Sequence, residues 1–195
     1  MMHTGLLFGS FNPIHIGHVI IASYMTDFEG LDEVWLVVSP QNPLKKKSEL
    51  LDDRHRYEMC RKALEKYPTL KASDIEFSMP LPSYTIDTLK KLEELHPDRS
   101  FAVIMGSDNI EKIDRWKEFK RITNDFSFYF FPRLNTSNEK LSLFRNARMV
   151  NAPLIEISST FIRSAASKGK NIKPYLPEEV YSYITSNKID LGTHS

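Results

Sequence analysis

"GLLFGSFNPIHIGH", residues 5–18, is the stretch whose reading decides the fold. Its first five residues are a short apolar run closed by Gly9, the pattern of a buried strand. Asn12-Pro13 then forces a turn, and a helix begins around His15. A strand, a glycine at its end and a helix N-terminus in quick succession open an α/β unit that presents its turn to a ligand. Gly9 lacks a Cβ, which would let a ligand come close to the backbone. His15 and His18 are three residues apart, hence neighbours on a helix surface, and can point at one spot beyond the strand. The unpaired N–H groups and positive dipole end of the helix suit a phosphate at that spot. Taken alone, the pair also reads as two polar residues on a solvated turn. A zinc site would need further ligands, and no cysteine or third histidine stands nearby.

Outward from this stretch, strand-like and helix-like patterns alternate. Strands are predicted at 5–9, 32–40, 70–77, 101–106, 125–131 and 148–157, and helices at 16–28, 52–66, 84–95, 108–120, 138–147, 159–167 and 177–186. Such alternation predicts an α/β, Rossmann-like, doubly wound fold: a mostly parallel sheet with helices on both faces, binding ligands at the carboxyl ends of its strands. At 195 residues, with 41% hydrophobic and 26% charged residues, the chain reads as a single domain over 1–195, its polar tail "KIDLGTHS" (188–195) expected to fray. A core of that size needs no disulfide or metal staple.

Twenty-six Lys plus Arg against 25 Asp plus Glu leave a net charge of +1, and no interleaved basic-aromatic stripe is present, so a nucleic-acid partner is not expected. The N-terminus lacks a basic segment of the signal-peptide kind, and no apolar run approaches the ~20 residues of a membrane span. A single cysteine, Cys60, fits a reducing, cytoplasmic setting, and its apolar helix face makes it inert packing. His55, His96 and His194 have no evident partners and read as surface residues.

A second anion cradle is predicted at "ISSTFIR", 157–163. Ser158 or Ser159 is a good N-cap, and Arg163 lies about one turn later on a nearby face. By itself this is an ordinary helix cap. Two helix N-termini following strands of one sheet, however, can converge at its carboxyl edge on a polyphosphate. Lys45, Lys46 and Lys47 hang from the Pro-rich loop after the second strand, over the same edge.

"GSFNPIHIGH" together with "ISSTFIR" resembles the paired signature of the HxGH nucleotidyltransferases, and within them the bacterial nicotinate-mononucleotide adenylyltransferases. The resemblance runs along nearly the whole chain. "SPQNPLKK" (39–46) is similar to that family's Pro-rich basic loop, "HRYEMCRKA" (55–63) to one of its helices, and "SYTIDTL" (83–89) and "GSDN" (106–109) followed by Trp116 to two further segments. The first motif is shared with cytidylyl- and pantetheine-phosphate adenylyltransferases and some tRNA synthetases; the Ser-Tyr-Thr and Trp116 segments narrow it to a pyridine nucleotide.

The resemblance implies transfer of AMP from ATP to nicotinate mononucleotide, giving nicotinate adenine dinucleotide and pyrophosphate in NAD synthesis. It implies backbone contacts from Gly9, Ser10 and Phe11, with His15, His18 and Lys46 on phosphate. Ile157, Ser158, Ser159 and Arg163 would hold the triphosphate tail and Asp108 a ribose hydroxyl. His15, His18, Lys46 and Arg163 would carry catalysis. Tyr84 and Thr85 would receive the nicotinate carboxylate, Trp116 would stack on the pyridine ring, and Arg133 would serve the acceptor side. Three departures from the family stand out: Phe8 replaces a glycine, Lys45 a histidine, and Leu134-Asn135 a Pro-Gly pair.

The attacking group in such a reaction is a phosphate already anionic at neutral pH, so no general base is required. The need is alignment of two anions that repel each other and stabilisation of charge moving onto pyrophosphate. Mg²⁺ would ride on the phosphates and water rather than in a protein cage. The alternatives are the same chemistry on nicotinamide mononucleotide or another phosphorylated acceptor, and a nucleotide-binding sensor without turnover. Nothing in the sequence assigns an oligomeric state.

Overall fold

The computed structural model describes residues 1–40, 50–137 and 139–192. Six strands form one parallel sheet: β1 (Met2–Gly9), β2 (Glu33–Val38), β3 (Leu70–Ser73), β4 (Arg99–Gly106), β5 (Ser127–Phe131) and β6 (Ala147–Met149). Their order is β3-β2-β1-β4-β5-β6, so the chain winds outward in one direction from β1 and then returns to start again at β4. This is the doubly wound arrangement expected from the sequence, with its switch in strand order between β1 and β4.

Alternation along the strands divides the core into two layers. Leu7, Leu36 and Val38 face one layer with α1 (Ile16–Phe28), α2 (Asp53–Leu64), α5 (Ser159–Ser167) and α6 (Glu178–Ser186), through buried Ile21, Met25, Met59, Cys60, Ile162 and Val180. Leu6, Val37 and Val103 face the other with α3 (Thr85–Leu95) and α4 (Phe119–Asp125), through Ile86, Leu89 and Ile122. All six residues of β2 are buried, as a strand covered on both faces requires. Cys60 is fully buried and its thiol pKa is pushed up by desolvation, in keeping with inert packing.

Four predicted elements are corrected. The strand foreseen at 70–77 stops at Ser73, and Ile75–Ser78 is a 3₁₀ turn. There the Ile75 N–H bonds Ser73 Oγ at 3.4 Å, and Glu76 turns inward to accept from Ser83 Oγ (2.7 Å) and Thr88 Oγ1 (2.8 Å). The single helix foreseen at 108–120 is a 3₁₀ segment, Ser107–Arg115, then a break at Trp116–Glu118 and the separate α4. Ile110, Ile113 and Trp116 recur every third residue, the period of a 3₁₀ helix; the extended backbone of Trp116 (ψ 144) ends the run, and Glu118, in the left-handed region (φ 52), is the N-cap of α4. The helix foreseen at 138–147 is only a 3₁₀ turn, Glu139–Leu143, with Leu141 and Phe144 again three apart. The strand foreseen at 148–157 is the three-residue edge strand β6; beyond it Pro153 has no N–H to give a ladder.

Two of the histidines read as partnerless surface residues have partners. His55 Nδ1 lies 2.9 Å from Tyr183 Oη, and the His96 ring meets Trp35 edge-on at 5.1 Å, each residue half-buried. Lys45, Lys46, Lys47 and His194 lie outside the described residues. Among the described residues no helix is long and apolar enough to cross a membrane.

Candidate active site

The register that sets Leu7 opposite Ile104 carries Gly9 and Gly106, two residues further along each strand, to the same carboxyl edge at the switch point. Between Gly9 and α1 the chain makes a tight turn. Phe11 has a left-handed backbone (φ 45) and the Asn12–Pro13 peptide is cis. A non-glycine residue there costs about 1 kcal/mol or more, so neighbouring contacts must hold it. They do so at its carbonyls. Ser10 O accepts from Arg56 Nη1 (2.6 Å), Asn12 O from Arg163 Nη1 (2.9 Å), and Pro13 O from Ser159 Oγ (2.8 Å). The Leu51 N–H adds a bond to Asn12 Oδ1 (3.2 Å). The turn is thus tied to α2 on one side and α5 on the other.

The space beside Gly9 is not left for a ligand, as the sequence suggested. The Phe11 ring occupies it, 2.9 Å from where a Cβ would stand. The glycine between the histidines has a similar cause. A Cβ on Gly17 would meet Ile155 Cγ2 at 2.9 Å and His15 Nδ1 at 3.1 Å, so the absent side chain lets the His15 ring lie flat over the first turn.

His15 is the N-cap of α1, and its backbone N–H donates to His18 Nδ1 at 3.2 Å. Because Nδ1 accepts, a neutral His18 carries its proton on Nε2. The two rings stack with centroids 3.7 Å apart, and Phe11 meets His18 edge-on at 5.0 Å. His15 is buried and its pKa is pushed down to about 4, first by desolvation and then by the Arg133 charge, so the ring is neutral at physiological pH. Its Nδ1 has no hydrogen-bond partner among the described residues.

Arg133 follows β5. Its Nη1 donates to Ile155 O (2.6 Å) and its N–H to Ser107 Oγ (3.0 Å), and with His15, His18 and Ile157 it lines a narrow cleft. Asp108, exposed just after β4, lays its carboxylate over the Gly106 backbone beside Arg133. At the start of α5, Ser158 is the N-cap and accepts from the Phe161 N–H (3.1 Å), leaving Ser159 to hold the turn. One cluster therefore gathers Gly9–His18, Asp108, Arg133 and Ile157–Arg163. It contains two helix N-termini, two buried or half-buried histidines and two guanidiniums, Arg133 and Arg163, beside the carboxylate of Asp108, a donor-rich setting for a polyanion.

The remaining expected residues form a second cluster, on the α3 side of the sheet. Tyr84 is the N-cap of α3 and Thr85 its first residue. Lys117, next to half-buried Trp116, sits 4.9 Å over the Tyr84 ring and 2.8 Å from Asp87 Oδ2. Arg133, expected to serve the acceptor side, lies beside the histidines.

The sequence reading overlooked Arg56 and Lys117. Arg56 had a signal: it stands four residues before Cys60 on the stripe of α2 that is buried, a position otherwise apolar. Lys117 had none, since only the fold brings it to Tyr84. Among the described residues no three His, Cys, Asp or Glu side chains converge in the manner of a metal cage.

The family described as "Cytidylyltransferase-like" matches residues 6–165. A Flavobacterium johnsoniae protein named "Probable nicotinate-nucleotide adenylyltransferase" is 47% identical over 188 residues, 95% of this chain and 97% of its own. A Bacteroides fragilis protein of the same name is 46% identical over 181 residues, covering 93% of this chain and 90% of its own. Among solved structures, the Plasmodium falciparum nicotinic acid mononucleotide adenylyltransferase complexed with NaAD superposes with a TM-score of 0.83 over 97% of both chains, at 24% identity, a likeness of fold.

Proposed function

This chain belongs to the cytidylyltransferase-like family, and we propose that it acts as its curated relatives are named, as a nicotinate-nucleotide adenylyltransferase. It transfers AMP from ATP to nicotinate mononucleotide, giving nicotinate adenine dinucleotide and pyrophosphate, a step of NAD synthesis. The whole of residues 1–195 serves as one catalytic domain, working in the cytoplasm. The observation that carries the reading is the donor-rich cluster at the β1–β4 switch point, where the turn before α1 and the start of α5 are bonded together.

The 5′-phosphate of the mononucleotide attacks the α-phosphorus of ATP, and pyrophosphate leaves. The attacking oxygen is already anionic, so the protein's task is to align two anions and to receive the charge that builds on the leaving group. His18, through Nε2–H, and the N–H groups at the starts of α1 and α5 face the triphosphate. Arg163 and Ser159 hold the turn in place from beneath and come within reach of the same oxygens. Lys46 contributes a positive charge to phosphate binding in this reading. Neutral His15 can take up a proton when a polyphosphate arrives, because an adjacent anion favours the charged ring. Gly9, Ser10 and Phe11 line the nucleotide, and Asp108 binds a ribose hydroxyl. Tyr84 and Thr85, at the positive end of α3, receive the nicotinate carboxylate, and Trp116 stacks on the pyridine ring.

ATP enters as its Mg²⁺ complex. The edge supplies donors and one exposed carboxylate, Asp108, which fits an ion carried by the triphosphate and water.

The test is pyrophosphate release from ATP and Mg²⁺ with nicotinate mononucleotide and nicotinamide mononucleotide side by side. The expected result is a kcat/KM for the acid at least about tenfold above that for the amide, since N–H donors at a helix start favour a carboxylate. Equal rates would remove the carboxylate assignment of Tyr84 and Thr85. No release with either would remove the reaction.

A further inference from the structure

Arg56 is fully buried, an expensive place for a charge unless every donor is answered. A guanidinium has five N–H bonds, and each has an acceptor here. Nε donates to Leu51 O (3.0 Å), Nη1 to Ser10 O (2.6 Å) and Ser39 O (2.8 Å), and Nη2 to Pro40 O (3.3 Å) and the Asp53 carboxylate. Four of the five acceptors are backbone carbonyls, and they come from three places in the chain: the turn after β1, the end of β2 and the start of α2. The Ser10 carbonyl immediately precedes Phe11, the residue with the strained backbone. Leu51, held by Arg56 through its carbonyl, passes its own N–H to Asn12 Oδ1 on the far side of Phe11. One buried side chain therefore fixes the turn on both sides of its strained residue.

We propose that Arg56 is a positioning residue for adenylyl transfer: without touching substrate, its guanidinium sets the turn at Ser10–Asn12 and so the ATP side of the site. The inference rests on the assignment of that turn to ATP. A lysine at 56 keeps the charge but has only three N–H bonds on a single atom, so it cannot serve carbonyls spread across three segments. The acceptor side at Tyr84 and Trp116 shares none of these bonds.

The experiment compares steady-state kinetics of the wild type, Arg56→Lys and Asp53→Asn, each well below its own melting midpoint and normalised to folded protein. Arg56→Lys is expected to lower kcat/KM for ATP at least about tenfold while KM for nicotinate mononucleotide moves less than about threefold. Asp53→Asn, which removes the carboxylate and leaves the four carbonyl bonds, is expected to stay within about twofold of wild type. If Arg56→Lys does not fold, Arg56→Gln, with two N–H bonds and no charge, carries the same comparison. Kinetic constants for ATP within twofold of wild type, or equal losses for both substrates, would overturn the proposal. Failure of the parent reaction is seen separately, as wild-type protein that releases no pyrophosphate.

Discussion

Around Gly9–His18, three carbonyls within four residues are held by side chains from α2 and α5, two of them by buried guanidiniums. At Tyr84–Trp116 the corresponding ties are at the surface: Tyr84 is 37% exposed, and Lys117 reaches it from an ion pair with Asp87 that is open to water. Under the proposed function the contrast matches what each half would bind. Two phosphate groups that repel one another must be brought into line, and donors that had to reorganise at that moment would forfeit most of their effect. Burying cations against carbonyls holds them beforehand. A flat heteroaromatic ring needs only a face to lie on, the part the proposal gives to half-buried Trp116.

The largest expected effect tests whether the first half is the preorganised one. His18→Ala removes a donor fixed by the His15 N–H and by stacking, and it should lower kcat about 10²–10³-fold with little change in thermal stability. Turnover close to wild type would mean that the histidine pair is scenery and that the contrast between the halves is misdrawn.

The next concerns what a buried, neutral His15 costs. Its folded pKa of about 4 lies below the ordinary 6.5, so the unfolded chain takes up a proton at a pH where the folded protein does not. Stability from this residue is therefore complete above pH 6.5 and declines as pH falls towards 4, by about 3 kcal/mol over that interval. Urea unfolding of wild type and His15→Gln across the interval should show the steeper loss in the wild type alone. Parallel curves would place His15 in a more solvated setting than the structure gives it.

The smallest effect belongs to the acceptor half. Trp116→Ala should raise KM for nicotinate mononucleotide about five- to tenfold, the scale of one stacking contact, and leave KM for ATP unchanged. Lost stability without a change in either KM would assign Trp116 wholly to the second core layer, against which half of it already packs.

The legibility of the molecule divides along the same line. The doubly wound sheet could be read from apolar runs of strand length alternating with helical patterns, and α1, α5 and α6 fall where that reading put them. The residues proposed to face phosphate could be singled out because their signals are local: a glycine, a proline and two histidines within ten residues, and two serines before a helix. The 3₁₀ segments were not told apart from α-helices because both place apolar residues three apart, although Ile110, Ile113 and Trp116 keep strictly to three. The cause of Gly9 was misread for another reason. A missing Cβ shows that something comes close, and only the backbone twist at Phe11 shows that it is the protein's own ring.

By itself, then, the sequence determined the alternating order of strands and helices and marked two segments as candidate phosphate cradles, because periodicity, capping and turn chemistry act over a few residues. Only the tertiary structure decided that Arg56 closes all five of its N–H bonds on carbonyls and a carboxylate, that Arg133 keeps company with His15, and that Lys117 covers Tyr84. Those pairings join residues up to 118 apart along the chain, the separation of His15 and Arg133. Which buried donor meets which acceptor is set by the register and crossing of whole strands and helices, and no local pattern encodes it.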